Sequence, residues 1–292
     1  MADHRRDHGA SPRRGIGSAW LGVAVPRVAV RRVALLGAAL LGATLTASCD
    51  LPPPRTSRDG PRILAITPPL TEGELSRGVS WRVELDRRIA PNNLYQGVVE
   101  VTSNDVYVFV DMSLDVVHPA ILVTPIGLLD PEVGYDFVVR SLVDLEGLAS
   151  ADTDPVRFHT STERARVPVP PITYDDVAPV LARCASTDCH GGAHPAVDLD
   201  LSSAAGLRAT AVGVAARAVA PGGGGSLPRP VTAALLGMPR IAAGDPGRSY
   251  LLYTMVGDEH IAGNPMPPDA PLFPDEEIDL VQRWIRQGTP GI

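Results

Sequence analysis

The sequence predicts two folded domains in series, an all-β sandwich over residues 61–160 and a mainly α-helical domain over residues 172–292. The first prediction rests on short β-branched runs separated by Pro, Gly, Asn and Asp. The second rests on apolar residues at helical spacing, which lie between proline or acidic starts and glycine ends. A chain of 292 residues is long enough for about two domains and a targeting segment.

Residues 1–49 are predicted to be a lipoprotein signal peptide with an extended n-region. The uncharged stretch 33–48 has 16 residues, whereas a membrane-spanning helix needs roughly 20, so this stretch is typical of a signal peptide. It ends in small residues before Cys49 and resembles the lipobox of bacterial lipoproteins, with Thr46 where leucine is usual. The resemblance implies a diacylglycerol on the Cys49 thiol; the alternative is an ordinary secretory signal with a chance cysteine.

These features predict an exported protein. We expect it to be lipid-anchored to the bacterial cell envelope through Cys49 and to face the periplasm or the cell exterior. Residues 50–60 are rich in proline and are expected to form a tether between the anchor and the first domain.

Seven candidate strands follow one another between residues 61 and 160. Residues 79–85 alternate apolar and polar side chains, as in a sheet with one solvated face. Short strands at this spacing predict a β-sandwich. The candidate strands are 63–67, 79–85, 98–102, 106–111, 120–124, 135–142 and 156–160.

The same segment resembles bacterial Ig-like domains of surface proteins. The resemblance covers an opening pair of prolines, a strand that ends in isoleucine, and a closing set of aromatic and D-x-x-G residues. The matching segments are 61–68, 83–89, 135–139, 144–147 and 158–160. The resemblance implies an Ig-like sandwich.

No catalytic group is predicted in the sandwich. His118 and His159 are isolated, and residues 50–183 contain no cysteine, so no disulfide can form inside the domain. We expect the domain to act as a spacer. The proline-rich residues 161–171 are expected to form a stiff linker to the second domain.

The second domain contains two cysteines followed directly by a histidine: Cys184, Cys189 and His190. A c-type haem needs two thiols that add across its vinyl groups and an adjacent histidine that ligates the iron. The four residues between the cysteines depart from the usual C-x-x-C-H spacing. Two alternatives are a plain disulfide and a zinc site that also uses His194.

Three helices and one loop surround this motif. Asp175 or Asp176 is expected to cap a helix with Pro179 in its first turn, and further helices are expected over 248–256 and 274–287. Met266 lies among three prolines in a loop, where its thioether suits a soft iron ligand. His194 and His260 are alternative ligands, and Met255 is expected to pack within its helix.

Residues 172–290 resemble the cytochrome c domains of secreted bacterial proteins. The resemblance implies one covalent haem c, with thioethers from Cys184 and Cys189, His190 as proximal ligand and Met266 as distal ligand. Residues 206–239, which contain a glycine run at 222–225, depart from the family and are interpreted as a loop insertion. The matching residues are Tyr174, Val177, Pro179, Cys184, Cys189, His190, Gly191, Leu199, Asp200, Leu201, Gly244, Asp245, Pro246, Ser249, Leu251, Met266, Pro267, Pro268, Glu277, Ile278, Trp284, Ile285 and Gly288.

The charged residues restrict both chemistry and partners. All 26 basic residues other than histidine are arginine, which excludes a Schiff-base lysine and a P-loop lysine. Residues 1–49 hold seven arginines and two aspartates; their removal leaves 19 arginines and 31 acidic residues, a net charge of −12 instead of −7. We therefore expect a redox partner protein with a basic face and no nucleic acid.

These observations predict a membrane-anchored c-type cytochrome that carries one electron at a time and is not an independent catalyst. Two alternatives remain. One is a surface or periplasmic interaction lipoprotein whose C-terminal domain is haem-free and stabilised by a disulfide. The other is the electron-accepting part of a larger redox enzyme.

Overall fold

The computed structural model describes residues 59–166, 168–217, 232–268 and 271–292, which all lie in one compact unit, Arg55–Ile292. The predicted signal peptide, Cys49 and most of the tether lie outside these ranges. Within them, no helix is both long enough and apolar enough to cross a membrane.

The first part of the described chain is a sandwich of two sheets. One sheet has the order β1-β3-β7-β6, and the other has the order β2-β9-β8-β4-β5. Neighbouring strands are antiparallel except for the parallel pair β2 and β9. The strands are β1 Ile63–Thr67, β2 Glu74–Leu75, β3 Trp81–Leu85, β4 Val99–Ser103, β5 Val106–Val108, β6 Val110–Asp115, β7 Ala120–Pro125, β8 Gly134–Val139 and β9 Val156–Thr160.

Alternating side chains from both sheets fill the space between them. Trp81 of β3 lies edge-on against Phe137 and Phe158 of the other sheet, with ring centroids 5.2 Å apart in each pair. Tyr135 stacks on Phe158 at 5.5 Å. Such aromatic pairs add packing energy beyond their buried area. The D-x-x-G segment is a turn in which Asp144 Oδ1 accepts the backbone N–H groups of Glu146 and Leu148.

The predicted strands match the sheets in position but differ in detail. Residues 106–111 were predicted to be one strand, but β5 belongs to one sheet and β6 to the other, and exposed Phe109 lies at the crossing. The predictions 79–85 and 135–142 were too long, because regular pairing covers only Trp81–Leu85 and Gly134–Val139. The two-residue strand Glu74–Leu75 was missed because it is too short to show a period.

The second part is helical. Its helices are α1 Tyr174–Ala182, α2 Ala204–Thr210, α3 Tyr250–Met255 and α4 Asp275–Arg286, and a 3-10 turn at Pro246–Arg248 precedes α3. The expected cap of α1 was wrong: the N-cap is Thr173, whose N–H and Oγ1 both donate to Asp176 at 2.7 and 2.9 Å. Pro179 consequently lies beyond the first turn.

The first and last helices pack against each other and close the helical core. The apolar stripe of α4 consists of four buried residues, Ile278, Val281, Trp284 and Ile285, and of Leu280, which is only partly buried. Arg183 reinforces the contact, because it pairs with Glu277 at 2.6 Å and lies over the Phe273 ring.

Residues 206–239 were predicted to be a loop insertion. This is wrong for part of the segment, which belongs to the helical core. Residue 206 lies inside α2, and Leu207, Ala211, Leu235 and Met238 are all buried. The glycine run lies outside the described residues. A methyl group at Gly206 would clash with the Asp200 carboxylate, so glycine permits this close packing.

The linker and the sandwich are both joined to the helical part. Linker residues contact each side: Arg77 donates its backbone N–H to the Glu163 carbonyl, and Gln287 Nε2 donates to the Pro170 carbonyl at 2.9 Å. Two valines after β6, Val116 and Val117, are buried in the helical core rather than in the sandwich. The sandwich therefore packs directly against the helices.

Candidate haem-binding cavity

A cavity of about 370 Å³ lies inside the helical part, within the range of small-molecule and cofactor sites. Three predicted site residues line it: Cys184 after α1, His190 in the following loop, and Met266 between α3 and α4. Most of the wall is apolar. The other lining residues are Leu181, Val197, Leu199, Leu201, Ala216, Arg217, Arg240, Tyr250, Leu251, Thr254, Met255, Ala262, Gly263, Asn264 and Phe273.

Backbone hydrogen bonds fix the position of His190. Its N–H donates to the Cys184 carbonyl at 2.9 Å, and its carbonyl accepts the Leu201 N–H at 2.8 Å. The ring is buried, and Nδ1 lies 3.2 Å from the Ala196 carbonyl. In the tautomer that donates Nδ1–H to this carbonyl, Nε2 carries the lone pair that a metal ligand needs. Burial lowers the pKa of His190 despite these hydrogen bonds, which favours the neutral ring that binds metals.

The glycine after the histidine has a packing reason. A Cβ atom at Gly191 would lie 2.2 Å from the Ala185 carbonyl oxygen. The loop therefore returns past the end of α1 at a distance that only glycine tolerates. This close return keeps Cys184 and His190 on the same side of the loop as the cavity.

The two cysteines have different surroundings. Cys184 is buried, and its pKa is raised first by burial and then by neighbouring Cys189. Cys189 is half-buried and does not line the cavity. Both thiols are free, so the disulfide alternative is not formed in this structure. In the described ranges, no three His, Cys, Asp or Glu side chains are grouped for a metal, and the predicted zinc set with exposed His194 is not assembled.

Met266 lies on the cavity wall and is held by its backbone. Its N–H donates to the Thr254 carbonyl of α3 at 2.9 Å. The alternative ligand His260 lies in another cleft and hydrogen-bonds to Asp258. Met255 packs in α3 as expected, and it also lines the cavity. Met266 is thus the predicted distal residue that the fold brings to the same cavity as His190.

One cavity residue, Arg240, was not predicted from the sequence. Its guanidinium is buried and donates to the backbone carbonyls of Asp198 and Thr210 at 2.7 and 2.6 Å, and also to that of Val197. Burial lowers the pKa of Arg240, followed by repulsion from Arg217. A single arginine after a proline carries no sequence signal for this role, because its acceptors are backbone atoms.

No family model and no curated protein matches this chain. Among solved structures, the chain is similar to the N-terminal part of the bacterial S-layer protein SbsC, with 15% identity and a TM-score of 0.28, over 39% of this chain and 25% of that one. A structure of SbsC domains 1–6 matches with 13% identity and a TM-score of 0.28, over 39% and 16%. The chain thus spans a quarter or less of the S-layer chains it matches. TM-scores this low identify neither the fold nor the function.

Proposed function

We propose that this protein is a membrane-anchored c-type cytochrome that acts as a one-electron carrier, with an Ig-like sandwich followed by a cytochrome c-like helical domain. One observation carries the proposal: Cys184 and His190, which are close in sequence, line a single apolar cavity together with Met266, which follows 76 residues after His190. A thiol, an imidazole and a thioether on one wall fit a haem with one of its two thioether bonds at Cys184 and with histidine and methionine ligands. When bound, the haem supplies a reversible one-electron couple.

We assign each site residue a role in holding the haem. Cys184 and Cys189 would form the thioether bonds, and His190 would ligate the iron through Nε2 while the Ala196 carbonyl orients its ring. Met266 would supply a thioether ligand, and ligation by histidine and methionine together raises the reduction potential. With both of these ligands in place the iron would have no open position, which favours electron transfer over chemistry on a bound substrate.

The cellular setting belongs to the same proposal. A lipid on Cys49 would hold the protein at the bacterial cell envelope. The net charge of −12 expected after processing favours a redox partner with a basic face rather than nucleic acid. The apolar cavity, with His190 and Met266 on its wall, supports the carrier over the disulfide-stabilised interaction lipoprotein.

Expression of the full chain in a strain with c-type cytochrome maturation tests the proposal. A denaturing gel stained for haem should show colour at the mass of the protein, and the Cys184→Ser/Cys189→Ser variant should lose it. Met266→Ala should keep the colour but change the ligand-field spectrum and lower the potential. An unstained wild-type band refutes the carrier, and an unchanged Met266→Ala spectrum indicates that His194 or His260 is the ligand.

A further inference from the structure

The loop that carries Met266, residues 257–268, is fixed to α3 at two places. Tyr250, a buried residue of α3, exchanges two 2.9 Å hydrogen bonds with the backbone N–H and carbonyl of Ala262. The Met266 N–H donates to the Thr254 carbonyl at 2.9 Å. These bonds hold the second half of the loop against its own helix.

The first half of the loop is fixed to the β-sandwich instead. Buried Asp258 accepts a hydrogen bond from Arg88 Nη1 at 2.8 Å. Arg88 follows β3 and also donates its Nε–H to the Val116 carbonyl at 2.8 Å, so its planar group is held at both ends. A buried carboxylate needs such a partner, because an uncompensated charge in the interior is strongly destabilising.

His260 connects the same carboxylate to a second loop of the sandwich, the turn that contains Glu146. The His260 ring and backbone N–H lie 2.9 and 2.8 Å from Asp258 Oδ1. On its other side, His260 Nε2 lies 3.6 Å from Glu146, in the turn after β8. Arg88, Glu146, Asp258 and His260 form what we call the domain latch, with two members from each part of the molecule.

We infer that the domain latch is a positioning device through which the sandwich keeps the 257–268 loop, and with it Met266, on the cavity wall. The inference rests on the proposed function, because the position of Met266 matters only if it ligates a haem. Ligand-bearing loops open locally at a free energy set by their own contacts. Arg88 would therefore act on the iron through Asp258 and the loop, without touching the haem. The sandwich would then be a part of the redox centre rather than a spacer.

The test is Arg88→Gln in the full chain, with Arg62→Gln as the matched control. Arg62 also pairs with an aspartate, Asp86, but its side chain is 73% exposed. In Arg88→Gln, amide hydrogen exchange of residues 257–266 should accelerate about tenfold, because the remaining pairing is weakened. The ferric charge-transfer band of methionine-ligated haem should weaken, and the potential should fall. Arg62→Gln should change none of these.

Two further variants keep the inference falsifiable if Arg88→Gln folds poorly. His260→Gln leaves Arg88 and Asp258 paired and should give a smaller acceleration in the same segment. Arg88→Lys keeps the charge and should restore part of the methionine band. Unchanged exchange and an unchanged band in Arg88→Gln overturn the domain latch; if that variant does not fold, the same result in His260→Gln overturns it.

Failure of the proposed function gives a different result. If the wild type carries no haem but residues 257–266 still exchange faster in Arg88→Gln, the carrier is wrong and the loop contact stands. If the wild type carries haem and Arg88→Gln has normal exchange and a normal potential, the carrier stands and the domain latch is wrong.

Discussion

The sandwich and the helical part bury apolar residues in different ways. In the sandwich, Trp81, Phe137 and Phe158 meet at ring distances of 5.2 Å and fill the space between the sheets. In the helical part, the helices surround a cavity of about 370 Å³ whose wall carries a thiol, an imidazole and a thioether. A filled core stabilises by packing alone, whereas the opening and these donors in the helical part are what the proposed haem would require.

The largest effect on stability is expected for a substitution in the filled core of the sandwich, compared with one on the cavity wall. Trp81→Ala removes a 1% exposed ring from the filled core and should lower the free energy of unfolding by about 3–5 kcal/mol. Met266→Ala, on the wall of an existing cavity, should cost the haem-free protein less than about 1 kcal/mol. Denaturant titration measures both values, with exposed Leu64→Ala as the control. Equal costs would contradict the contrast between the two cores.

The second prediction concerns the contact between the two parts. Gln282 of α4 is fully buried; its Oε1 accepts the Val116 N–H at 2.5 Å and its Nε2 donates to Asp115 at 2.9 Å. Gln282→Ala leaves the Val116 N–H without an acceptor and should cost about 2–3 kcal/mol. Denaturant titration checks this value. Asp279→Asn, which breaks only the i,i+4 pair with Arg283, should cost about 0.5 kcal/mol or less. If both variants cost the same, the two parts do not depend on this contact.

The third prediction concerns the hydrogen bonds that Arg240 makes in the wall of the cavity. Arg240→Gln removes donors to three backbone carbonyls, at residues 197, 198 and 210, and should cost about 2 kcal/mol. Arg217→Gln is the matched control, because Arg217 pairs with Asp198 at an exposed position. Thermal unfolding compares the two variants. A stable Arg240→Gln protein would show that the 197–198 turn does not need this side chain.

The smallest effect is a pH dependence at the junction. The hydrogen bond to Asp258 raises the pKa of His260 above its ordinary 6.5. A raised folded pKa means that this stabilisation is complete below about pH 6.5 and is lost as the pH rises through the folded value. The loss should be under about 1 kcal/mol, because the pairing with Glu146 is half exposed. Unfolding measured from pH 6 to 9 should show the step in the wild type, and His260→Gln should abolish it.

The stabilisation from Asp258 depends on pH in the opposite direction to that from His260. Burial raises its pKa, but hydrogen bonds from His260 and the charge of Arg88 outweigh burial, so the net pKa is lowered. Its contribution is present above the ordinary pKa of an aspartate and is lost at acid pH. Asp258 therefore makes the protein less stable at acid pH, and His260 makes it less stable at alkaline pH.

Local patterns predicted the elements of both parts better than the contacts between them. Alternation located β3, a short β-branched run located β9, and apolar residues at helical spacing after an acidic start located α4. The resemblance to cytochrome c domains brought Cys184, His190 and Met266 into one hypothesis. The roles of Arg88, Arg240 and Gln282 were missed, because their partners are backbone atoms or lie as far as 170 residues away. Gln282 left one trace, a polar residue beside the buried stripe of α4.

The most direct test of the central claim is the mass of one tryptic peptide. Cleavage after Arg183 and Arg208 releases residues 184–208, which contain both cysteines and His190. From protein made with c-type cytochrome maturation, this peptide should carry the mass of one haem and have no free thiol. A haem-free peptide, with two free thiols or with a disulfide, would contradict the claim that the helical part is a haem domain.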